Sequence, residues 1–345
     1  MAKAVIGWDV GGAHVKAARI ERGRAVAALQ LPCPLWLGLD QLPAVIADAS
    51  ARLGAADRHA ATMTGELADA FADRAEGVAH IAGVLAGALA PAELHIWAGR
   101  AGFLPPEAAG ARAADMASAN WLATAALAAR EVPNGLLADM GSTTTDLVPL
   151  AAGAPCPAGH TDAERLACGE LVYTGLVRSF VLALAERVPF AGAWTPLTGE
   201  YFATSADVYR LLGALPEGTD QMPTADGRGK TEAASRARLA RMVGRDAAEA
   251  PPRAWRDLAA FLAEAQLRRI ADAALLVLSR TALPAEAPVI GAGCGRHVTR
   301  LLAERLGRPW RDFAALPPLA GLAAETADQC APAVAVALLA SPHAP

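Results

Sequence analysis

A chain of 345 residues, 54% of them hydrophobic, carries enough core material for two domains. The formal net charge is -4 and no basic stripe is visible, which argues against a nucleic-acid partner. No stretch is long enough and free enough of charge to span a bilayer, so no membrane partner is expected.

In chain order, residues 3–10, 14–20 and 24–31 read as three strands joined by tight turns. Helical spacing of Leu42, Val45, Ile46, Ala49 and Leu53 predicts a helix over 39–54. A strand near His59–Thr64, a helix over Val78–Leu89, a strand at Leu94–Trp97 and an Ala-rich helix over Ala108–Arg130 follow. The pattern restarts at Gly135 with two further strands around a second loop. The acidic turn Asp162-Ala163-Glu164 predicts a helix from Thr161 to Arg187, with Gly169 and Gly175 as points where it can break. Residues 188–232 are rich in Pro, Gly and Thr and read as an insertion or an active-site lid. Helices are expected at Glu232–Arg245 and Trp255–Leu278, a strand at 287–290, a helix at 298–306 and a last apolar helix at 331–340.

Two stretches share one design. Gly7-Trp8-Asp9-Val10-Gly11-Gly12-Ala13-His14-Val15-Lys16 and Leu136-Leu137-Ala138-Asp139-Met140-Gly141-Ser142-Thr143-Thr144-Thr145-Asp146 each run from an apolar strand through an Asp into a turn of small residues. Such a turn offers bare N–H groups to a phosphate. Asp9 and Asp139, at strand ends, can hold Mg²⁺ through water. Each is also a residue type that caps backbone N–H groups in ordinary turns. Ser142, Thr143 and Thr144 can donate hydroxyls to phosphate, and threonine is equally a strand former. Gly11, Gly12, Ala13, His14 and Gly141 complete the two loops. Asp146 fits either a metal-bound water, a base, or the closing of a turn. A third stretch, Gly291-Ala292-Gly293-Cys294-Gly295, follows a buried strand and precedes a helix, as nucleotide and anion sites do.

The only lysines are Lys3, Lys16 and Lys230, which makes Lys16 and Lys230 candidate phosphate contacts as well as plain surface charges. Glu66, after Thr64-Gly65 at a strand end, is a candidate base or acceptor for an amine, and equally a helix first-turn Glu. Asn120, Glu170 and Tyr173 are pocket candidates that also suit plain helix positions, and Asp226, Arg228 and Lys230 share a loop that can close over an anion. The cysteines Cys33, Cys156, Cys168, Cys294 and Cys330 are odd in number and lack metal-ligand spacing, so reduced thiols in a cytoplasmic protein are expected. The histidines do not pair at metal spacing. The first apolar run is short and carries Asp9, so no signal peptide is expected.

These motifs resemble the two phosphate loops and the adenosine motif of the acetate/sugar kinase–Hsp70–actin superfamily. Thr62-Met63-Thr64-Gly65-Glu66-Leu67-Ala68-Asp69, Ser118-Ala119-Asn120-Trp121-Leu122-Ala123-Thr124-Ala125 and Gly169-Glu170-Leu171-Val172-Tyr173-Thr174-Gly175 are similar to segments of its hydantoinase/oxoprolinase-like branch. Thr224-Ala225-Asp226-Gly227-Arg228-Gly229-Lys230-Thr231 with Arg238-Leu239-Ala240-Arg241-Met242 narrows the resemblance to proteins of the tetrahydromethanopterin-linked one-carbon pathway. Archaeal proteins of that group build the aminomethylfuran ether of methanofuran.

The resemblance implies a two-lobed, actin-like, ribonuclease H-like duplicated α/β fold with a central cleft. Its lobes would be 1–133 and 134–330, with an insertion at about 188–245 and the C-terminal helix 331–345 packing back on the first lobe. It implies a transferase joining an aminomethylfuran-methyl diphosphate to the phenol of γ-glutamyltyramine or a tyrosine analogue, with Mg²⁺ as cofactor and small molecules as partners. Asp9, Glu66, Asp139 and Asp146 would be catalytic. Gly291, Ala292, Gly293, Cys294, Thr64, Asn120, Glu170, Tyr173, Asp226 and Arg228 would line a nucleotide-like or substrate pocket. ATP binding stays open but is not required, a homodimer is compatible, and an ATP-dependent kinase or hydantoinase-like enzyme is the alternative reading.

Overall fold

A computed structural model describes residues 4–341; Lys3, His343 and the end of the expected 331–345 segment lie outside the described residues. In chain order the elements are β1 (Val5–Val10), β2 (His14–Glu21), β3 (Arg24–Pro32), α1 (Gln41–Leu53), β4 (Arg58–Met63), α2 (Arg74–Leu89), β5 (Glu93–Trp97), β6 (Phe103–Leu104), α3 (Ala113–Met116), α4 (Asn120–Glu131) and β7 (Gly135–Met140). Then come β8 (Thr145–Ala151), β9 (Ala154–Pro155), α5 (Asp162–Cys168), β10 (Leu171–Val172), β11 (Arg187–Phe190), β12 (Ala193–Pro196), α6 (Ser205–Leu211) and α7 (Glu232–Arg241). The chain closes with α8 (Pro252–Ser279), β13 (Val289–Ala292), α9 (Arg296–Arg305), β14 (Trp310–Asp312), α10 (Ala324–Gln329) and α11 (Ala331–Leu339).

Two sheets repeat one order. The first is β3-β2-β1-β4-β5-β6 and the second β10-β8-β7-β13-β14, with β9 on β8. In the first, β1 runs antiparallel to β2 and parallel to β4. Each sheet thus places a glycine-turn strand pair beside strands contributed from later in the chain. Contacts divide the chain into unit 1 (1–137, 148–157 and 311–345) and unit 2 (138–147 and 158–310). Relative to a division at 133/134 and 330/331, residues 134–137, 148–157 and 311–330 go with unit 1.

In unit 1, alternation along β1 sends its residues to two faces. Ile6, Trp8 and Val10 join Leu42 and Ile46 of α1 and Val78, Ile81 and Leu85 of α2 in one core. Burying each such side chain contributes about 1.5–3 kcal/mol. Gly7 faces the other way, onto α11. A Cβ built on Gly7 would stand 2.7 Å from the Ala337 Cβ, so glycine and alanine together bring helix and sheet backbones close. That is what the alanine richness of α11 supplies: small side chains on a buried, apolar helix.

In unit 2, α6, α7, α8 and the β11–β12 hairpin share a core around Val188, Phe190, Leu239, Trp255 and Leu262. Residues 188–212 are therefore packed into this core. The expected helix from Thr161 to Arg187 is also corrected. It stops after seven residues, because Gly169 caps α5 in the left-handed conformation (φ 79°). Thr161 and Glu164 close its start as a capping box. The expected helix over 108–130 is likewise broken into α3 and α4, with Ser118 between them at φ 50°. The short strands β6, β9, β10, β11, β12 and β14 and helices α6 and α10 are additions to the sequence-based expectation.

Candidate active-site elements

The first hairpin belongs to unit 1. Its turn is closed by the Gly11 amide donating to the His14 carbonyl (2.9 Å). The Leu35 and Cys33 amides tie the Gly12 and Ala13 carbonyls down, and the Thr64 amide bonds the Val10 carbonyl at the end of β4. A Cβ at Gly12 would meet nothing within 4 Å, and Gly12 does not have a positive φ. Neither packing nor backbone geometry dictates glycine there, which leaves the turn open to an approaching anion.

Asp9 stands opposite Lys16 on β2 and Thr62 on β4 in the strand register. The Lys16 ammonium donates to Asp9 Oδ2 at 3.1 Å, so this lysine's charge is spent at least in part on the carboxylate. Asp9 Oδ1 and Thr62 Oγ1 are buried with no hydrogen-bond partner among the described residues. A buried orphaned carboxylate oxygen is costly and asks for a donor or a cation-bound water.

Behind the turn lies Glu66. It is 1% exposed, and the Ser118 hydroxyl donates to its Oε1 at 2.7 Å. Burial pushes its carboxyl above the usual range, against the pull of the Ser118 hydrogen bond and the Arg74 charge. A Cβ on Gly77 would stand 2.7 Å from the Glu66 Cα, so α2 presses directly on this residue. Asn120 caps its neighbour by accepting from the Trp121 amide (2.8 Å). Ser118, Thr62 and Gly77 are members of this cluster that sequence reasoning missed. Ser118 lay two residues from Asn120 within a quoted motif, but nothing local marks its left-handed backbone.

The second hairpin belongs to unit 2. The Gly141 amide donates to the Thr144 carbonyl (2.9 Å), matching the closure of the first turn. The amides of Leu176, Val177 and Arg178 bond the Gly141 and Ser142 carbonyls, clamping the turn from outside. The Ser142 and Thr143 hydroxyls lie 3.4 Å apart. The Gly291–Gly295 turn packs on the same strand end. The Gly295 amide bonds the Met140 carbonyl, and a Cβ on Gly293 would reach 2.5 Å from Asp139 Oδ1. Ala292 ends β13 in the buried core, and the Cys294 thiol points at the Met140 carbonyl. The structure thus joins Asp139, Gly141–Thr144 and Gly291–Cys294 within one unit.

Other candidates take structural positions. Glu170 is fully buried and held by Arg280 and by the Ala158 and Gly159 amides, so it braces a loop rather than lining a pocket. Asp146 pairs with the buried Arg165 at 2.8 Å. Asp226 accepts from Arg238; burial opposes its charge, but the Arg228 amide and the Arg238 guanidinium hold its carboxyl below the usual range. Arg228 enters that network through its backbone, its amide bonding Asp226 and its carbonyl accepting from Thr224. Lys230 donates to the Asp220 carbonyl at 2.6 Å. The expected lid loop is therefore pinned by ion pairs.

Tyr173 is different: it is exposed and lines a cavity of about 480 Å³ within unit 2, together with Thr143 of the second hairpin. Among the described residues no cluster of three or more His, Cys, Asp or Glu is arranged to hold a metal, and no helix is long and apolar enough to cross a membrane. Burial pushes the Cys33 and Cys330 thiols up to about 11 and about 12, which keeps both protonated.

The chain is similar to the (4-{4-[2-(gamma-L-glutamylamino)ethyl]phenoxymethyl}furan-2-yl)methanamine synthase of Methanocaldococcus jannaschii, 33% identical over 243 residues, covering 70% of this chain and 72% of that protein. It is 34% identical over 113 residues to the synthase of the same name from Methanococcus vannielii, covering 33% of this chain and 50% of that protein. Among solved structures, component A of the Acidaminococcus fermentans (R)-2-hydroxyglutaryl-CoA dehydratase superposes with a TM-score of 0.51 at 14% identity, covering 99% of both chains. Nucleotide-free acetone carboxylase gives 0.55 at 12% identity, covering 89% of this chain and 68% of that one. At such identities these two show the fold alone, the actin-like duplicated α/β arrangement. A family model described as hydantoinase/oxoprolinase matches residues 57–320, and this chain belongs to that family.

Proposed function

We propose that this protein forms an aryl ether by displacing pyrophosphate from an aminomethylfuran-methyl diphosphate with the phenol oxygen of γ-glutamyltyramine or a tyrosine analogue. The observation that carries the reading is the 33% identity, over 243 residues, to a synthase whose name describes that phenoxymethyl-furan linkage. The bond from the furan methylene to the diphosphate oxygen breaks, and pyrophosphate leaves with the electron pair. The phenol oxygen bonds the methylene and releases its proton to a base.

The furan ring stabilises positive charge at the departing methylene, so the barrier falls mainly on the leaving group. Preorganised N–H donors aimed at that group lower it without reorganisation. The Gly141–Thr144 turn of unit 2 is the segment we assign to diphosphate; the Gly11–His14 turn of unit 1 has the same anion-binding design. Asp9 fits a divalent cation held through water, because its Oδ1 is buried without a partner among the described residues; Asp139 is assigned the same role at its own hairpin. When bound, Mg²⁺ would neutralise charge on the departing pyrophosphate. The phenol, with an unperturbed pKa near ~10, needs help to lose its proton. Glu66, whose carboxyl burial biases toward holding a proton, is the acid–base candidate.

The test is to supply purified protein with the furan diphosphate, γ-glutamyltyramine and Mg²⁺, and to follow ether and pyrophosphate together. The reading predicts both in equal amounts with no nucleotide added. Turnover of ATP with no ether and no pyrophosphate from the furan would overturn it and favour a kinase or hydantoinase-like activity, to which the Gly291–Gly295 turn would then belong.

A further inference from the structure

We infer that the unit 2 cavity is the seat of the phenolic co-substrate, gripping an aryl ring at one wall and a carboxylate at another. The inference rests on the ether-synthase reading and adds the recognition site to it.

A cavity of about 480 Å³ suits a small organic molecule. Its aromatic residues are unusual for where they stand. Phe180 is 48% exposed, Tyr201 46% and Tyr173 61%, in a chain with only three tyrosines. Exposed aromatic groups gathered on one concave wall mark a binding surface. The Phe180 and Tyr201 rings lie 4.6 Å apart at 54°, a tilted pair that presents an edge and a face to a third ring. Val177, Leu184 and Met222 complete the apolar lining.

The charges on the wall are unbalanced toward an anion. Its two acids are already engaged: Asp207 with Arg210 and Arg238, and Asp220 with Arg210 and Lys230. Arg269 also lines the cavity, and no carboxylate pairs with it among the described residues. It donates one N–H to the Ala183 carbonyl at 3.3 Å, which orients the guanidinium and leaves other donors unspent. A guanidinium so placed suits a carboxylate such as that of a glutamyl group.

The cavity also adjoins the proposed leaving-group turn. Thr143 belongs to both, while none of Gly291–Gly295 lines the cavity. An aryl group lying on Phe180 and Tyr201 would therefore be next to the turn assigned to diphosphate, and apart from the adenosine-like motif.

The experiment combines calorimetric binding of γ-glutamyltyramine and tyramine with steady-state kinetics on wild type, Phe180→Ala, Tyr201→Ala, Tyr201→Phe and Arg269→Ala. Each alanine change at the aromatic pair is expected to raise the KM for γ-glutamyltyramine about tenfold, with the KM for the furan diphosphate within about twofold. Tyr201→Phe keeps the ring and is expected to recover most of the KM lost in Tyr201→Ala. Wild type is expected to prefer γ-glutamyltyramine over tyramine, and Arg269→Ala to shrink that preference about fivefold, as a coupling to the carboxylate requires. Folded variants that leave the phenol KM unchanged, or raise only that of the diphosphate, would overturn the assignment. Failure of the parent reading looks different: no ether from any phenol. In that case cavity-dependent calorimetric binding of γ-glutamyltyramine would still uphold the site, and no binding would remove it.

Discussion

A Cβ placed on Gly175 would stand 2.5 Å from the amide nitrogen of Thr143. The segment 174–179 thus lies directly against the second glycine turn, and its backbone serves as the turn's outer clamp. Gly175→Ala is predicted to push that clamp away. The expected cost is about 1–3 kcal/mol in chemical denaturation, the range for overpacking a tight site. Weaker pyrophosphate binding should accompany it. Unchanged stability and binding would mean that the turn does not depend on this contact.

The clamp has its own support. Gln266 of α8 donates to the Thr174 hydroxyl (2.7 Å) and the Gly175 carbonyl (2.8 Å), and accepts from the Tyr209 hydroxyl (2.8 Å). All three bonds are buried. Gln266→Leu is predicted to destabilise by about 1–3 kcal/mol for each polar group left without a partner. Denaturant midpoints check this; a loss below about half a kcal/mol would place the support elsewhere.

Lys16 and Asp9 give a third prediction. Asp9 is 1% exposed, so removing the ammonium with Lys16→Met leaves a buried carboxylate poorly compensated. Breaking one partner of a buried pair costs about 3–5 kcal/mol, and the half-exposed rim of this one places it at the low end. The double change Asp9→Asn, Lys16→Met should recover part of that loss. A double variant no better than the single one would contradict the coupling.

These relationships separate what was readable in the sequence from what was not. The hairpins were legible because both the period-two pattern and the Asp-Gly turns are local. Gly169 and Gly175 read as possible breaks within one helix from Thr161 to Arg187; Gly169 does cap a helix, whereas Gly175 meets a turn more than thirty positions away. Nothing near Gly175 in the chain announces Thr143. The same holds for the site. Tyr173 is a candidate in the sequence, but Phe180, Tyr201 and Arg269 line one cavity only because α8 and the segments around residues 180 and 201 pack together. Lys230 and Asp226 read as free lid charges, since Asp220 and Arg238 are partners fixed by the fold.

Two buried titrating groups give opposite pH signatures. Burial raises the Glu66 carboxyl above its ordinary 4.5, so the folded chain keeps a proton that the unfolded chain has lost. Stability from the neutral carboxyl is full below about 4.5 and is lost as pH rises through the folded value. Glu66→Gln should therefore gain on wild type in thermal melting as pH rises from acid to neutral. A difference independent of pH would show that Glu66 ionises normally.

His59 runs the other way. Burial lowers it from 6.5 to about 4, and its Nδ1 accepts from the Trp8 indole at 3.1 Å, which only the neutral ring can do. Its contribution is full above 6.5 and is lost as pH falls toward about 4. Titration by NMR should find the ring neutral at pH 5.5 or so, about one unit under the free value. A midpoint at the ordinary histidine value would contradict the burial.

The central claim is displacement at carbon, and an oxygen label tests it most directly. γ-Glutamyltyramine carrying heavy oxygen in its phenol group should deliver all of that label to the ether, with unlabelled pyrophosphate released in equal amount. Label appearing in phosphate or pyrophosphate, or an ether that has lost it, would contradict the account.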